Sequence, residues 1–132
     1  MIAHPHHSKA FDLVESARNG LDQAHWSTLG LAEFYSVLTR TPFSPRIQPS
    51  EASRIIEDDM LPFFNLVEVD AADYRAIVRE CAAAGLVGGV VHDMIHLRCA
   101  QKAECDQIWT FNVKDFQRLA AVTHFRGRVV SP

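Results

Sequence analysis

One stretch of the sequence constrains the possible fold more than any other. It is a glycine pair that leads into a helix, followed by a short apolar strand. Gly88-Gly89 precedes a helical pattern that carries Asp93 in its first turn. A strand pattern follows at Gln107 to Phe111, and Asn112 and Asp115 lie in the polar turn directly after it. Acidic and amide oxygens therefore collect where strands end and helices begin, which is where open α/β sheets place their sites.

Helical and strand patterns alternate along the rest of the chain. Capping residues and apolar periodicity predict helices, and short apolar runs predict strands. The predicted helices begin at Ser8, Thr28, Ser50, Asp70, the Asp93 segment and Lys114, and they end near Gly20, Arg40, Pro62, Gly85, Ala103 and Ala121. The predicted strands cover 24–27, 63–69, 107–111 and 128–130. This alternation predicts one α/β domain over 1–132, with a short, mostly parallel sheet between helical layers.

The bulk composition excludes several classes of protein. The chain is 48% hydrophobic and 22% charged, which suffices for one globular core. Its three cysteines (Cys81, Cys99 and Cys105) are odd in number and lack CxxC spacing, so we expect no disulfide framework and a cytoplasmic location. No segment approaches the roughly 20 apolar residues of a membrane span. A net charge of −3 argues against a general polyanion binder, but it allows an acidic site that works through metal ions.

Four oxygen-bearing side chains are candidates for one site at an edge of the sheet. Glu33 lies in the first third of the second helix, far in sequence from Asp93, Asn112 and Asp115. Carboxylates that converge repel one another unless they are protonated or share a cation. Mg²⁺ or Mn²⁺ suits such oxygen ligands, and the chemistry then available is phosphodiester hydrolysis.

Three segments, in this order and at this spacing, carry a family resemblance. They are Ser27 to Arg40, Gly88 to Asp93, and Thr110 to Phe116. Together they make the chain similar to PIN domains, specifically to the VapC-type ribonuclease toxins of bacterial toxin–antitoxin pairs. The resemblance implies a PIN-like three-layer α/β/α fold and an endoribonuclease that hydrolyses RNA with Mg²⁺-activated water. It also implies a homodimer and a small VapB-like antitoxin partner whose tail blocks the acidic pocket.

The resemblance also implies roles for individual residues. Glu33 and Asp93 would hold the metal ions directly, while Asn112 and Asp115 would help through ions or ordered water. Arg40 and Lys114 are the nearest candidates for phosphate contacts, and Thr110, in the same turn as the last ligands, is a further candidate for substrate binding. Each residue also has a local interpretation: Glu33 as a solvated helix residue, Asp93 and Asp115 as helix-start residues, Asn112 as a turn residue, and Thr110 as a backbone-bonding strand end.

The beginning of the chain departs from the resemblance. Domains of this kind open with a central apolar strand that ends in a metal-binding aspartate. Met1-Ile2-Ala3-His4-Pro5 looks instead like the loop after such a strand. We therefore expect the N-terminal strand and its aspartate to be missing. A second hypothesis follows, in which the chain is a non-catalytic remnant that only binds an antitoxin or a partner subunit.

A third hypothesis concerns zinc. His92 and His96 are four residues apart on a predicted helix, the spacing of the HExxH zinc motif, with Asp93 in the place of the glutamate. Aspartate is shorter than glutamate, and no clear third ligand follows at the expected spacing, although Cys99 lies one turn further on. We expect His96 to be packed or partly exposed, the cysteines to be small buried hydrophobes, and Trp26, Trp109 and Phe111 to belong to the core.

Overall fold

The computed structural model describes residues 23–110 and 112–131. The predicted helix that begins at Ser8, the segment Met1 to Pro5 and residue Phe111 lie outside these ranges. The described elements, in chain order, are β1 (His25–Ser27), α1 (Thr28–Arg40), α2 (Pro49–Arg54), a π-helical turn (Ile55–Met60), a 3-10 turn (Leu61–Phe63), β2 (Asn65–Val67), α3 (Ala71–Ala83), α4 (Val90–Lys102), β3 (Gln107–Trp109), α5 (Val113–Thr123) and β4 (Arg128–Val130).

The strands form parallel pairs, as the alternation of elements predicts. β1 pairs with β2, with Trp26 opposite Leu66, and β3 pairs with β4, with Ile108 opposite Val129. In the described part of the chain these are two separate two-stranded sheets. The α/β class and the short parallel pairing are therefore confirmed.

Helix α4 is the central element of the larger core. Its Met94, Ile95, Leu97, Cys99 and Ala100 are buried, and they belong to one cluster with residues of α3, β3 and α5 (Ile77, Cys81, Ile108, Phe116 and Leu119). Burying a side chain of the size of Leu, Ile or Phe stabilises a fold by about 1.5–3 kcal/mol. Because α4 is packed on several sides, the position of its first turn, which carries Asp93, is fixed by the core.

A second apolar group anchors α1. Trp26 of β1 is buried with Met60 and Phe64, and Phe34 of α1 lies edge-on to the Trp26 ring at a centroid distance of 5.5 Å. Leu38 of α1 is buried in a further cluster with Ala52 and Ile56. Helix α1, and with it Glu33, is therefore held against β1 and the turns that precede β2.

Helix α3 has the boundaries that the sequence predicts. Asp70 accepts a hydrogen bond from the Asp73 backbone N–H at 2.8 Å, and the Asp73 carboxylate accepts one from the Asp70 N–H at 3.1 Å. This is the predicted capping box. Gly85 has φ +68°, the left-handed conformation of a residue that ends a helix.

Four details of the sequence prediction are wrong. Ser27, not Thr28, caps α1, because the Ser27 hydroxyl accepts from the Gly30 N–H. Helix α2 begins at Pro49, not at Ser50, since proline suits the first helical position. Pro62 does not end the predicted helical segment but lies inside the 3-10 turn. The strand predicted over 63–69 covers only 65–67 and is not buried, since Leu66 is 45% exposed.

The other boundaries agree more closely with the prediction. β1, α1, α4, β3, α5 and β4 occur where the sequence places them, with ends that differ by a few residues at most. Trp26 is buried and Trp109 is partly buried, in agreement with their assignment to the core. None of the helices in the described ranges has both the length and the apolar character needed to cross a membrane.

Candidate functional site

A chain of hydrogen bonds joins the end of β1 to the side chain of Glu33 through α4. His96 Nε2 lies 2.7 Å from Glu33 Oε1, and His96 Nδ1 lies 2.7 Å from Ser27 Oγ. The Ser27 hydroxyl also accepts from the Gly30 N–H at 2.9 Å. Ser27 is fully buried and His96 is 1% exposed, while the Glu33 side chain is 36% exposed. Glu33 thus lies at the boundary between the core and solvent, with one oxygen held by a buried donor.

The elements that carry these groups explain why they meet. Ser27 is both the last residue of β1 and the N-cap of α1, so the chain turns sharply from strand to helix at this point. Glu33 follows in the second turn of α1. His96 lies on the buried side of α4, where an imidazole needs hydrogen-bond partners because an unpaired buried polar group is costly. Ser27 and Glu33 are those partners.

Asp93 lies one turn before His96 on α4. Residues three apart on a helix are neighbours on its surface, with Cβ atoms about 5–6 Å apart. The hydrogen bond from His96 therefore brings Glu33 to the part of α4 that carries Asp93. Asp93 is half-buried in the first turn, where the helix dipole stabilises a carboxylate.

Asn112 and Asp115 lie at the start of α5. Asn112 is the exposed residue before the helix, and Asp115 is half-buried in its first turn. In residues 23–110 and 112–131, no three His, Cys, Asp or Glu side chains lie close enough together to hold one metal ion. The described structure therefore brings Glu33 to α4 but does not gather Glu33, Asp93 and Asp115 into one such group.

Thr110 has a local role in the described structure. It is fully buried, its Oγ1 accepts from the Asn112 N–H at 3.0 Å, and its own N–H donates to the Val130 carbonyl at 3.0 Å. These bonds shape the turn between β3 and α5 and leave the Thr110 side chain inaccessible to RNA. Of the two basic candidates, Arg40 is exposed at the end of α1, and Lys114 is exposed in the first turn of α5.

The oxygen donors of the site suit a hard divalent cation. Mg²⁺ is usually held by one or two carboxylates together with waters and substrate phosphates, so a cage of protein ligands is not required. The Glu33 carboxylate accepts from His96, and the Asp93 carboxylate is one helical turn from the same histidine. Glu33 and Asp93 are thus compatible with a Mg²⁺ or Mn²⁺ ion.

The geometry does not favour a zinc site on α4. His92 is exposed, and its Nδ1 donates to the Gly89 carbonyl at 3.2 Å. His96 faces the interior, and both of its ring nitrogens are in hydrogen bonds. Cys99 is buried, and the loss of solvent raises the pKa of its thiol to about 11. A zinc ligand needs a free imidazole nitrogen or a thiolate, and neither His96 nor Cys99 offers one.

Sequence reasoning missed Ser27, and it considered His96 as a zinc ligand or a packed residue but not as a partner of Glu33. The available signal was the position of His96 inside the run Met94-Ile95-His96-Leu97, because a polar ring in a buried helix must have partners. The identity of those partners is not encoded locally, since Ser27 and Glu33 are 69 and 63 residues away.

Comparison with known proteins gives one match. A family model described as PIN domain matches residues 2–122, which is most of the chain. No curated protein and no solved structure matches.

Proposed function

The chain belongs to the PIN domain family, whose members are generally metal-dependent nucleases, and from this premise we propose that it is a Mg²⁺- or Mn²⁺-dependent endoribonuclease. We further propose that it is the toxin of a VapBC-type toxin–antitoxin pair. The similarity of the segments around Glu33, Asp93 and Asp115 to those of VapC toxins supports this narrower assignment.

One observation carries the proposal. Glu33 is held by a buried histidine of α4, and Asp93 lies one turn earlier on that helix. A carboxylate that a buried side chain holds in place keeps its position when a cation or a phosphate binds. A preorganised site depends on groups fixed in this way. Glu33 and Asp93 are the proposed direct ligands. A divalent ion bound by them would activate water and neutralise charge on the phosphate.

The residues at the start of α5 have proposed supporting roles. Asp115 and Asn112 would contact the ions directly or through ordered water, and Lys114 would contact a phosphate of the RNA. Arg40, exposed at the other end of α1, is a second candidate for a phosphate contact. Contacts of this kind position a nucleic acid but carry no sequence information, so they do not name the RNA target.

The proposed partners are an antitoxin protein of the VapB type and a second copy of this chain. Large apolar side chains exposed on and near α3, namely Tyr74, Val78 and Val87, support a protein partner. Coexpression with an antitoxin of the VapB type, followed by cleavage assays of the purified complex, tests whether such a partner inhibits the enzyme.

The central experiment is cleavage of RNA by the purified protein with EDTA, Mg²⁺ or Mn²⁺. The double variant Glu33→Gln/Asp93→Asn, purified in parallel, serves as the control for contaminating ribonuclease. We expect cleavage by the wild type with Mg²⁺ or Mn²⁺ and none by the double variant. Equal cleavage by both proteins would reject the proposed site. A wild type that binds its antitoxin but cleaves no RNA would favour the non-catalytic remnant.

A further inference from the structure

We infer that His96 is a positioning residue for Glu33, with its ring held by Ser27 in the tautomer that directs an N–H at the Glu33 carboxylate. The inference rests on the proposed function, because it assumes that Glu33 is a metal ligand. Ser27, His96 and Glu33 resemble a serine–histidine–acid triad in composition. Ser27 is fully buried, however, so a substrate cannot reach its hydroxyl, and a nucleophilic role is excluded.

The direction of each hydrogen bond follows from the donors and acceptors present. An ionised Glu33 only accepts, so His96 Nε2 must carry a proton and donate to it. A neutral imidazole then has no proton on Nδ1, which must accept from the Ser27 hydroxyl. The Ser27 oxygen uses a lone pair for the Gly30 N–H. In this arrangement both ring nitrogens of His96 and the Ser27 hydroxyl have partners.

Ser27 complements the direction that Glu33 sets. Its hydroxyl accepts from the Gly30 N–H and still has a proton to donate, which an unprotonated Nδ1 of His96 accepts. Outer hydrogen bonds orient histidines at metal sites in the same way.

The arrangement has a consequence for metal binding. Glu33 has a flexible side chain that is partly in solvent, and the bond from buried His96 restricts the rotamers of its carboxylate. The donated N–H holds one oxygen and leaves the carboxylate negative. Loss of outer hydrogen-bond partners typically lowers metal affinity or activity by about 10–100-fold. We expect an effect of that size when His96 loses its donor.

The first test reads the tautomer directly. Ring ¹H–¹⁵N correlation spectra of the metal-free full chain, labelled at histidine, distinguish protonated from unprotonated nitrogens. We expect His96 to carry its proton on Nε2 and none on Nδ1. A proton on Nδ1 with none on Nε2 would overturn the inference.

The second test measures Mn²⁺ affinity by calorimetric titration of the metal-free protein. His96→Leu removes the donor, whereas His96→Gln can place an amide N–H near the position of Nε2. The matched control is Cys99→Ala, a change on the same buried helix three residues further on, where the thiol donates to the Val67 carbonyl. We expect about 10–100-fold weaker binding in His96→Leu, substantial recovery in His96→Gln, and wild-type affinity in Cys99→Ala.

The controls separate positioning from packing. If Cys99→Ala weakens Mn²⁺ binding as much as His96→Leu, or if His96→Gln is as weak as His96→Leu, then His96 acts only through packing and the inference fails.

Should His96→Leu not fold, Ser27→Ala and Ser27→Thr replace it. Ser27→Ala is then expected to show mixed ring tautomers and weaker Mn²⁺ binding, and Ser27→Thr to restore both. An unchanged tautomer and affinity in Ser27→Ala would reject the role of Ser27.

The outcomes also separate this inference from the proposed function. A wild type that binds Mn²⁺ with the expected dependence on His96 but cleaves no RNA would refute only the ribonuclease assignment. A wild type that cleaves RNA while His96→Leu binds Mn²⁺ normally would refute only the positioning role. Absence of Mn²⁺ binding by the wild type would refute the metal-directed role of His96.

Discussion

Gly30 lies directly beside the indole ring of Trp26. A Cβ atom at position 30 would come within 2.7 Å of Trp26 Nε1 and within 3.0 Å of Ser27 Oγ. The absence of a side chain at Gly30 therefore lets α1 start close to β1. The same absence leaves room for the Ser27 hydroxyl, which bonds both the Gly30 N–H and His96.

Gly30→Ala is expected to destabilise the protein, although alanine is normally the better helix former by about 1 kcal/mol. Forcing extra volume into a packed site typically costs about 1–3 kcal/mol, which offsets that gain or exceeds it. Thermal unfolding measures the change, and a midpoint lower by a few degrees is expected. Gly89→Ala is the control, because a Cβ there meets nothing within 4 Å. A higher midpoint for Gly30→Ala than for the wild type would contradict the contact with Trp26.

Glu33→Gln is expected to reduce RNA cleavage by more than the roughly 10–100-fold that loss of an outer-shell partner produces, because a direct ligand loses its charge. Steady-state cleavage of a defined RNA at saturating Mg²⁺ is the measurement. Glu57→Gln changes an exposed glutamate in the π-helical turn and should leave the rate unchanged. Similar rates for Glu33→Gln and Glu57→Gln would remove Glu33 from the site.

Asp93→Asn is expected to abolish cleavage, since Mg²⁺ tolerates few substitutes for carboxylate oxygen. The substitution preserves size, and Asp93 lies on a helix whose core residues are untouched. Asp58→Asn, at an exposed position remote in sequence, controls for a general effect of losing one negative charge. Wild-type rates in Asp93→Asn at saturating Mg²⁺ would show that Asp93 is not a ligand.

Removal of divalent ions with EDTA is expected to stop cleavage, and Mg²⁺ or Mn²⁺ is expected to restore it. The physical reason is the oxygen character of the proposed ligands, which hard cations prefer. Zinc alone should not restore the activity, because His96 has no free ring nitrogen in the described structure. Recovery with Zn²⁺ that is lost in both His92→Ala and His96→Ala would favour the zinc hypothesis instead.

The ion pair between Asp73 and Lys102 is expected to stabilise the protein at neutral pH. Lys102 Nζ lies 2.7 Å from Asp73 Oδ2, and this bond is the main cause that lowers the pKa of Asp73 below 3.8 and raises the pKa of Lys102 above 10.5. A carboxyl group whose pKa is lowered on folding contributes stability at pH values above its pKa in the unfolded state. That stability is lost as the pH falls through its pKa in the folded state. A raised lysine pKa contributes stability that is lost as the pH rises through the folded value.

Lys102→Met should therefore unfold at a lower temperature than the wild type at pH 7, and the difference should shrink as the pH falls below 3.8. Thermal unfolding across this range is the measurement. Arg79→Met, at an exposed position of α3, is the control for losing one positive charge. A difference between Lys102→Met and the wild type that is the same at neutral and acid pH would show that the ion pair makes no contribution.

Signals between neighbouring residues were enough to predict several elements of the fold. The capping box of Asp70 and Asp73 and the left-handed Gly85 fix both ends of α3, because each interaction joins residues only a few positions apart. The alternation of helices with short apolar strands predicted the α/β class, and the order of three segments indicated the family. Glu33 and Asp93 were predicted as site residues from their places within those segments, and that assignment stays a prediction.

How those elements meet depends on packing between distant parts of the chain. Several features depend on neighbours that are distant in the sequence. They are the choice between Ser27 and Thr28 as the cap of α1, the exposure of Leu66, and the direction of the Glu33 side chain. The hydrogen bonds of His96 join residues 63 and 69 positions apart, and no local pattern specifies such pairs. They form because the core fixes α4 against β1 and α1, and a buried imidazole then bonds the donors and acceptors that this packing places within reach.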